Sequence, residues 1–400
     1  MTGPGVGLDG RRVYLDWNAT APLRSEARAA MLQAMDTLGN PSSVHSEGRA
    51  ARAIVENARG HVAALLGAAR DEIVFTSGAT EAANAVFALG WDQVWQSALE
   101  HDAVSGASHA GIGPARVALG LRSGLGPAML SHELGIQPNG WIDLAGLADR
   151  SEVAEATRRL IVAQAANSET GVLQDWAGVA QACTDQGALW ACDATAAVGK
   201  THLTVSEAGA DFVFGSAHKL GGPKGIGFLR MPDHDRPLAH MRGGGQELGR
   251  RSGTENVIGI AGFGAAAAAA KQDLEAGAWD CVNELRNILE KGLEAAASDL
   301  IICGGRSARL PNTTCFAVPG WKGETQVMQM DLAGFAVSAG SACSSGKVRE
   351  SRVLRAMGYD ALTAASAIRV SLGPTTTEAE VLAFLDAWTR AYRRRAERAA

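Results

Sequence analysis

Short apolar runs separated by amphipathic stretches recur between residues 72 and 229 of the chain. The runs are continuous rather than alternating, which is typical of strands buried on both faces of a sheet. Predicted strands of this kind lie at 72–76, 159–163, 188–192, 211–214 and 226–229. Because helical stretches separate several of them, the pattern predicts an α/β fold whose mostly parallel sheet is covered by helices on both faces.

The helices are predicted from apolar residues that recur every three or four positions. One helix is expected over 25–35, with Ser25 as its N-terminal cap. Others are expected over about 49–66 and over 176–186, and a short strand is expected at 13–15.

The pattern changes after Gly253-Thr254, where long helices rich in Ala, Leu and Glu replace the alternation of strands and helices. Two such helices are predicted over about 255–270 and 278–297, followed by short strands at 299–302 and 314–318. A last helix is predicted over about 377–394.

This change predicts two domains of unequal size. The large domain is expected over 16–260 and the smaller α/β domain over 261–400, with the N-terminal segment 1–15 packed on the smaller one.

Composition narrows the class of protein. The 400 residues are 46% hydrophobic and 20% charged, which is typical of a soluble globular chain that can bury a large interior. A net charge of −5 gives no reason to expect nucleic acid or an anionic membrane as a partner. The first ten residues lack the features of a signal peptide, so a cytoplasmic location is expected. The six cysteines show no metal-ligand spacing, and no metal site is predicted.

Candidate chemistry begins with a lysine and an aspartate that follow neighbouring predicted strands. Lys219 comes after the run at 211–214 and stands beside several glycines, which let backbone approach a ligand. Asp193 follows the run at 188–192, at the end of a strand where α/β sheets bind ligands. Pyridoxal phosphate requires both groups, an amine for a Schiff base and a carboxylate for its pyridine nitrogen. The pair therefore predicts a site for this cofactor, although a lone lysine near glycines is more often part of a surface turn.

A phosphate site is predicted where a strand meets a helix. The segment Thr76-Ser-Gly78-Ala-Thr80 joins the two, and a helix N-terminus offers free N–H groups and a positive dipole end to an anion. Taken alone, the same segment is also typical of a simple helix cap. Ser216, His218 and the glycine-rich segment ending at Thr254 are further candidate donors.

Three more residues suggest chemistry. His101 follows a polar break, although an isolated histidine is more often an ordinary surface residue. Arg369 lies within an apolar strand pattern, where a guanidinium needs an anionic partner such as a substrate carboxylate. Cys343 lies in a loop of small residues without a core pattern, which favours an exposed and nucleophilic thiol.

Together these motifs resemble those of the pyridoxal-phosphate-dependent cysteine desulfurases, of the class V aminotransferase family. The motifs follow the family's order: Tyr14-Leu-Asp-Trp-Asn-Ala-Thr20, Gly39-Asn-Pro-Ser-Ser-Val-His45, Thr76-Ser-Gly-Ala-Thr-Glu81, Glu100-His101, Asp193-Ala-Thr195, Ser216-Ala-His-Lys219, Arg251-Ser-Gly-Thr254, Ser341-Ala-Cys343 and Ile368-Arg369. The resemblance covers residues 12 to 390, and the long segment after Cys343 resembles the NifS/IscS branch. It implies the fold of aspartate aminotransferase-like transferases.

The resemblance also implies roles for individual residues toward the cofactor. Lys219 would hold pyridoxal phosphate, Asp193 would pair with the pyridine nitrogen, and His101 would stack on the ring and help to move protons. The residues implied for the phosphate are Ala79, Thr80, Ser216, His218 and, from a second subunit of a homodimer, Thr254.

Further implied roles concern the substrate, L-cysteine. Asn40 and Arg369 would hold its carboxylate. Cys343 would take its sulfur as a persulfide, leaving alanine, and could transiently ligate a cluster. The sulfur would pass to acceptor proteins, chiefly a scaffold for iron–sulfur cluster assembly.

Two positions depart from the family pattern. Ser168 and Ala196 replace an Asn and a Gln that would donate to the phenolic oxygen of the cofactor. Ser168 can still reach that oxygen, whereas Ala196 has no donor.

Alternatives remain beside a cysteine desulfurase, and the departures at Ser168 and Ala196 suggest the second of them. One is another enzyme of the same fold, a selenocysteine lyase or an aminotransferase. A second is a sulfur-relay subunit with little turnover, although the presence of Lys219, Asp193, Arg369 and Cys343 argues against it.

Overall fold

A computed structural model of the chain describes residue 8 and residues 10–112, 129–150, 158–231, 241–340 and 350–399. The strands in this part of the chain are β1 (Val13–Tyr14), β2 (Ile73–Thr76), β3 (Gln93–Ser97), β4 (Leu130–Ile136), β5 (Ile142–Asp143), β6 (Arg159–Val162), β7 (Leu189–Asp193), β8 (Phe212–Ser216), β9 (Gly227–Arg230), β10 (Ile301–Ile302), β11 (Thr313–Ala317), β12 (Phe335–Ala336), β13 (Ser338–Ala339) and β14 (Ala367–Ser371).

The helices of the described residues vary from four to 22 residues in length. They are α1 (Ser25–Met35), α2 (Ser46–Leu66), α3 (Ala79–Phe87), α4 (Asp102–Ile112), α5 (Trp176–Gln186), α6 (Val205–Ala208), α7 (Val257–Glu275), α8 (Ala278–Ala296), α9 (Gly323–Leu332), α10 (Arg352–Ala356), α11 (Ala361–Ser366) and α12 (Glu378–Ala399). None of the helices described is both long enough and apolar enough to cross a membrane.

The main sheet has eight strands in the order β2-β9-β8-β7-β6-β3-β4-β5. Its centre, from β8 to β4, is parallel, whereas β9, β2 and β5 pair antiparallel with their neighbours. Separate apolar clusters cover its two faces, one of them contributed largely by α2, α5 and α7. The predicted α/β fold with a mostly parallel sheet is confirmed.

A smaller sheet, β10-β11-β14-β13, is entirely antiparallel. Strand β1 pairs in parallel with β12, so the start of the chain joins this region. An apolar cluster that includes Val13, Leu15, Trp388 and side chains of α8 surrounds these strands. The boundary at 260/261 stays a prediction.

The starts of two helices differ from the predictions. Ser25 is the first residue of α1, and its predecessor Arg24 occupies the capping position without a side-chain cap, so the predicted serine cap is wrong. Helix α2 begins at Ser46, three residues early, because the His45 ring accepts a hydrogen bond from the Gly48 N–H and caps it.

Candidate active site

A cavity of about 230 Å³ lies where β7 and β8 end. This position is where the carboxyl ends of parallel strands form ligand sites in α/β sheets. The residues lining it are Asn18, Ala79, Thr80, His101, Ala103, Gln164, Ala166, Ser168, Asp193, Thr195, Ala196, Lys200, Ser216, His218, Lys219 and Arg369. The cavity thus contains most of the residues selected from the sequence.

Lys219 ends the short 3-10 turn that follows β8. Its Nζ donates hydrogen bonds to the carbonyl oxygens of Asn18, at 2.6 Å, and Ala19, at 3.1 Å. These carbonyls belong to the loop after β1, so this loop holds the Lys219 amine at the cavity wall.

One side of the cavity presents hydrogen-bond donors suited to an anion. Helix α3 begins at Ala79, and the backbone N–H of Ala79 donates to Ser216 Oγ at 2.9 Å, which joins the helix start to the end of β8. Gly227 allows this approach, since a Cβ there would lie 2.6 Å from Gly78 Cα. The start of the helix and the Ser216 hydroxyl together provide N–H and O–H donors for an anion.

His218 lies beside this anion site in its neutral form. Burial, reinforced by Lys219, Lys224 and Lys200, lowers the pKa of its ring to about 4. Its Nδ1 lies 3.2 Å from Thr20 Oγ1, which fixes the ring against the loop after β1. A neutral ring offers one N–H donor and no charge.

Asp193 and His101 line another side of the cavity, and a buried glutamate, Glu100, precedes His101 in the chain. Asp193 ends β7, and its Oδ1 accepts from the Thr195 N–H at 2.9 Å. His101 Nδ1 accepts from the Ala103 N–H at 3.0 Å, so the neutral ring has its proton on Nε2. Burial, with the charge of Asp193 adding to it, raises the pKa of Glu100 to about 8.

Arg369 has a carboxylate partner that the sequence did not predict. Its Nη2 donates to Asp16 Oδ1 at 2.9 Å, and its Nη1 donates to the Ser168 carbonyl oxygen at 3.0 Å. The anionic partner that a guanidinium in an apolar strand requires is thus supplied within the chain by Asp16, and the predicted contact of Arg369 with a substrate carboxylate stays a prediction.

Asn40 and Thr254 do not line the cavity. They lie together, with Leu38, on a separate open depression. The Asn40 side chain accepts from the Ser42 N–H at 2.9 Å and so stabilises its own turn. Their predicted roles in binding substrate and phosphate stay predictions. Cys343 lies outside the described residues.

Lys200, Gln164 and Asn18 also line the cavity, although no role was predicted for any of them from the sequence. A signal for Lys200 exists in the chain, since this lysine directly follows the apolar stretch Ala196-Ala-Val-Gly199. A lysine next to such a stretch is a candidate functional residue, because charged side chains are rarely buried unless they are paired.

Comparison with known proteins gives the family. The model of the Aminotransferase class-V family matches residues 13–384. The chain is 38% identical over 381 residues to a cysteine desulfurase of Enterobacter agglomerans, covering 93% of this chain and 90% of the relative. It is 35% identical over 394 residues to the cysteine desulfurase IscS of Dictyoglomus turgidum, covering 95% and 94%.

A solved structure agrees with these relatives. The NifS-like protein from Rickettsia africae superimposes with a TM-score of 0.84 and 30% identity, over 96% of this chain and 100% of that one. The family predicted from the sequence motifs is thereby confirmed. The chain belongs to the aminotransferase class-V family, on the branch that includes the cysteine desulfurases.

Proposed function

We propose that this protein is a cysteine desulfurase that uses pyridoxal phosphate to convert L-cysteine into L-alanine. One observation supports this most directly. A single cavity brings together an amine on Lys219, a carboxylate on Asp193 and the N-terminus of α3, which are the three groups that this cofactor requires. The cysteine desulfurases among the relatives support the choice of substrate.

The residues present fit the cofactor. Ala79, Thr80 and Ser216 would hold the phosphate, with the neutral His218 donating one N–H. Lys219 would hold the cofactor covalently, and Asp193 would keep the pyridine nitrogen protonated. When bound, pyridoxal phosphate supplies a ring that accepts electrons from bonds at the α-carbon of an amino acid.

His101 would pack against the ring and move protons. Because the Ala103 N–H occupies Nδ1 of His101, the imidazole would exchange a proton with the substrate through Nε2. Ser168 would donate to the phenolic oxygen in place of the missing Asn. Arg369 would hold the substrate carboxylate at the cavity. Asn40 lies away from this cavity in its own chain, beside Thr254, and would reach the carboxylate from the second copy of a homodimer.

Cys343 would receive the sulfur. In the overall reaction the Cβ–S bond of L-cysteine breaks and an S–S bond to Cys343 forms. The carbon gains the electron pair that the sulfur loses and takes up a proton, so alanine and an enzyme persulfide result without an external oxidant. The sulfur would then pass to an acceptor protein, chiefly a scaffold for iron–sulfur clusters, in the cytoplasm.

A homodimer would bring Thr254 to the cavity of a second copy. In its own chain Thr254 lies away from the cavity, on the depression lined by Leu38 and Asn40. Leu38 is 81% exposed and Val44 is 85% exposed, an apolar surface that association would cover. Arg251 forms an ion pair with Glu81 at 2.9 Å and so fixes the segment before Thr254 against α3.

The test is an assay of the purified full chain with pyridoxal phosphate, L-cysteine and a thiol reductant. Alanine and sulfide should form in equal amounts, and Lys219→Ala should form neither. Peptide mapping after borohydride reduction should place the pyridoxyl group on Lys219, and Lys224→Ala serves as the matched control. If a cofactor-loaded protein formed no alanine from L-cysteine, the proposal would be refuted.

A further inference from the structure

Lys200 is a buried cation at the wall of the cavity. Its exposed fraction is 2%, and it lies after β7, seven positions beyond Asp193. Its Nζ donates a hydrogen bond to Asn18 Oδ1 at 3.0 Å. No role has yet been given to this side chain, although placing an ammonium in such a site costs free energy.

Asn18 cannot compensate for the charge. Its Oδ1 also accepts from Asn312 Nδ2 at 3.1 Å, and its own Nδ2 donates to Thr313 Oγ1 at 2.8 Å. The amide is therefore held in one orientation and presents Lys200 with a neutral acceptor. An ammonium has three donors, and this hydrogen bond uses one of them.

No carboxylate in the described part of the chain forms an ion pair with Lys200. The surroundings of Lys200 disfavour its charged form. Burial is the largest cause, followed by the charges of Lys219 and Arg369, and together they lower the pKa of Lys200 to about 7. Arg369 differs, since Asp16 already pairs with it. Among the described cations at this cavity, Lys200 thus combines burial with a lack of countercharge.

An anion that bound Lys200 would be best placed on the side of Arg369. The carbonyl oxygen of Ser168 accepts from Arg369 Nη1 at 3.0 Å and from Asn18 Nδ2 at 3.2 Å. Asn18 in turn accepts from Lys200, so a short chain of hydrogen bonds connects the two cations. The phosphate side has donors of its own in α3 and Ser216.

We infer that Lys200 binds the α-carboxylate of the amino acid substrate, beside Arg369. This inference rests on the proposed function and adds to it a second cationic contact for the same group. Asn18 acts as a positioning residue that fixes Lys200. A hydrogen bond between an ammonium and a carboxylate is among the stronger ones in proteins, so its loss is measurable.

The experiment compares two ligands that differ only at the carboxyl group. L-Alanine and L-alaninamide are titrated into the full chain loaded with pyridoxal phosphate, and dissociation constants are measured by calorimetry. Lys200→Met should weaken alanine binding by about 10-fold or more and leave alaninamide binding nearly unchanged. Lys200→Arg should restore most of the alanine affinity.

Two further variants control for other effects of the substitution. Lys224→Met removes an exposed lysine near the same site and should change neither constant. Lys200→Gln is measured beside Lys200→Met, so that the result does not depend on whether one of the two variant proteins folds.

The outcomes separate this inference from the proposed function. Equal weakening of both ligands, or no weakening of alanine, would overturn the role of Lys200 alone. A wild-type protein that binds no alanine would overturn the proposed function and the inference with it.

Discussion

Arg369 and Asp16 form a largely buried ion pair in which Nη2 donates to Oδ1 at 2.9 Å. Arg369 lies in β14 of the smaller sheet, and Asp16 follows β1 and also accepts from Ser338 Oγ at 2.7 Å. The loop after β1 is therefore joined through Asp16 to the smaller sheet at the wall of the cavity. The substrate carboxylate proposed to bind Arg369 would therefore meet a guanidinium that already has a partner.

Asp16→Asn should lower the free energy of unfolding by about 3 kcal/mol, because it leaves the buried Arg369 without a countercharge. Urea denaturation of the full chain measures this. Asp331→Asn is the matched control, since it removes the carboxylate of an exposed pair with Arg12 and should cost less than about 1 kcal/mol. Similar losses for both variants would show that the buried pair adds nothing.

Arg369→Ala should raise the concentration of L-cysteine needed for half-maximal rate by roughly 10-fold to 100-fold, since a hydrogen bond to a charged group contributes about 1.5–3 kcal/mol. Steady-state kinetics over a range of cysteine concentrations measure this value. Arg12→Ala removes an exposed arginine and should leave it unchanged. An unchanged value for Arg369→Ala would assign the carboxylate to other residues.

Cys343→Ala should keep cofactor binding and the absorbance change on adding L-cysteine, but it should abolish the persulfide and reduce sulfide release by about 100-fold or more. Mass spectrometry of the protein after a single turnover detects the persulfide. Cys281→Ser, which replaces an exposed free cysteine, is the control and should behave as wild type. Wild-type sulfide release by Cys343→Ala would favour a lyase that needs no such thiol.

Glu100→Gln should flatten the pH dependence of stability. Burial raises the pKa of Glu100 from about 4.5 to about 8, so the folded chain binds more protons than the unfolded chain between these values. The contribution of this group to the free energy of unfolding is complete below pH 4.5 and falls as pH rises to about 8.

Urea denaturation at several pH values tests this. The glutamine cannot ionise, so the variant should lose less stability than wild type between pH 5 and about 8. Glu133→Gln, at an exposed position of β4, should follow wild type. Parallel curves for Glu100→Gln and wild type would place the proton on another group.

Ala196→Gln combined with Ser168→Asn should slow dissociation of pyridoxal phosphate by roughly 10-fold, because donors to its phenolic oxygen stabilise the ionised form. Both positions line the cavity. Asn167 is a weaker candidate donor than Gln164, since Gln164 lines the cavity and Asn167 is not among the residues lining it.

Dissociation is followed by the loss of cofactor absorbance after dilution into a trap for the aldehyde. If the double variant and the parent released cofactor equally fast, Gln164 would be the amide that already serves the phenolic oxygen. Gln164→Ala should then speed dissociation in the parent.

The sequence by itself determined the family, the α/β class and most of the lining of the cavity. Lys219, Asp193 and Ser216 could be selected because they follow continuous apolar runs, and the ends of such strands meet at one edge of a parallel sheet. Boundaries such as 25–35 and 176–186 agree with α1 and α5 because local periodicity sets them.

Only the tertiary structure decided which charges meet. Asp16 and Arg369 are 353 positions apart, and Lys200 and Asn18 are 182 apart, so neither pair leaves a local pattern in the sequence. Folding brings the loop after β1 between the two sheets, where it holds Lys219, Lys200 and Arg369. Whether a buried charge is compensated depends on contacts between distant segments, which residue type and spacing do not specify.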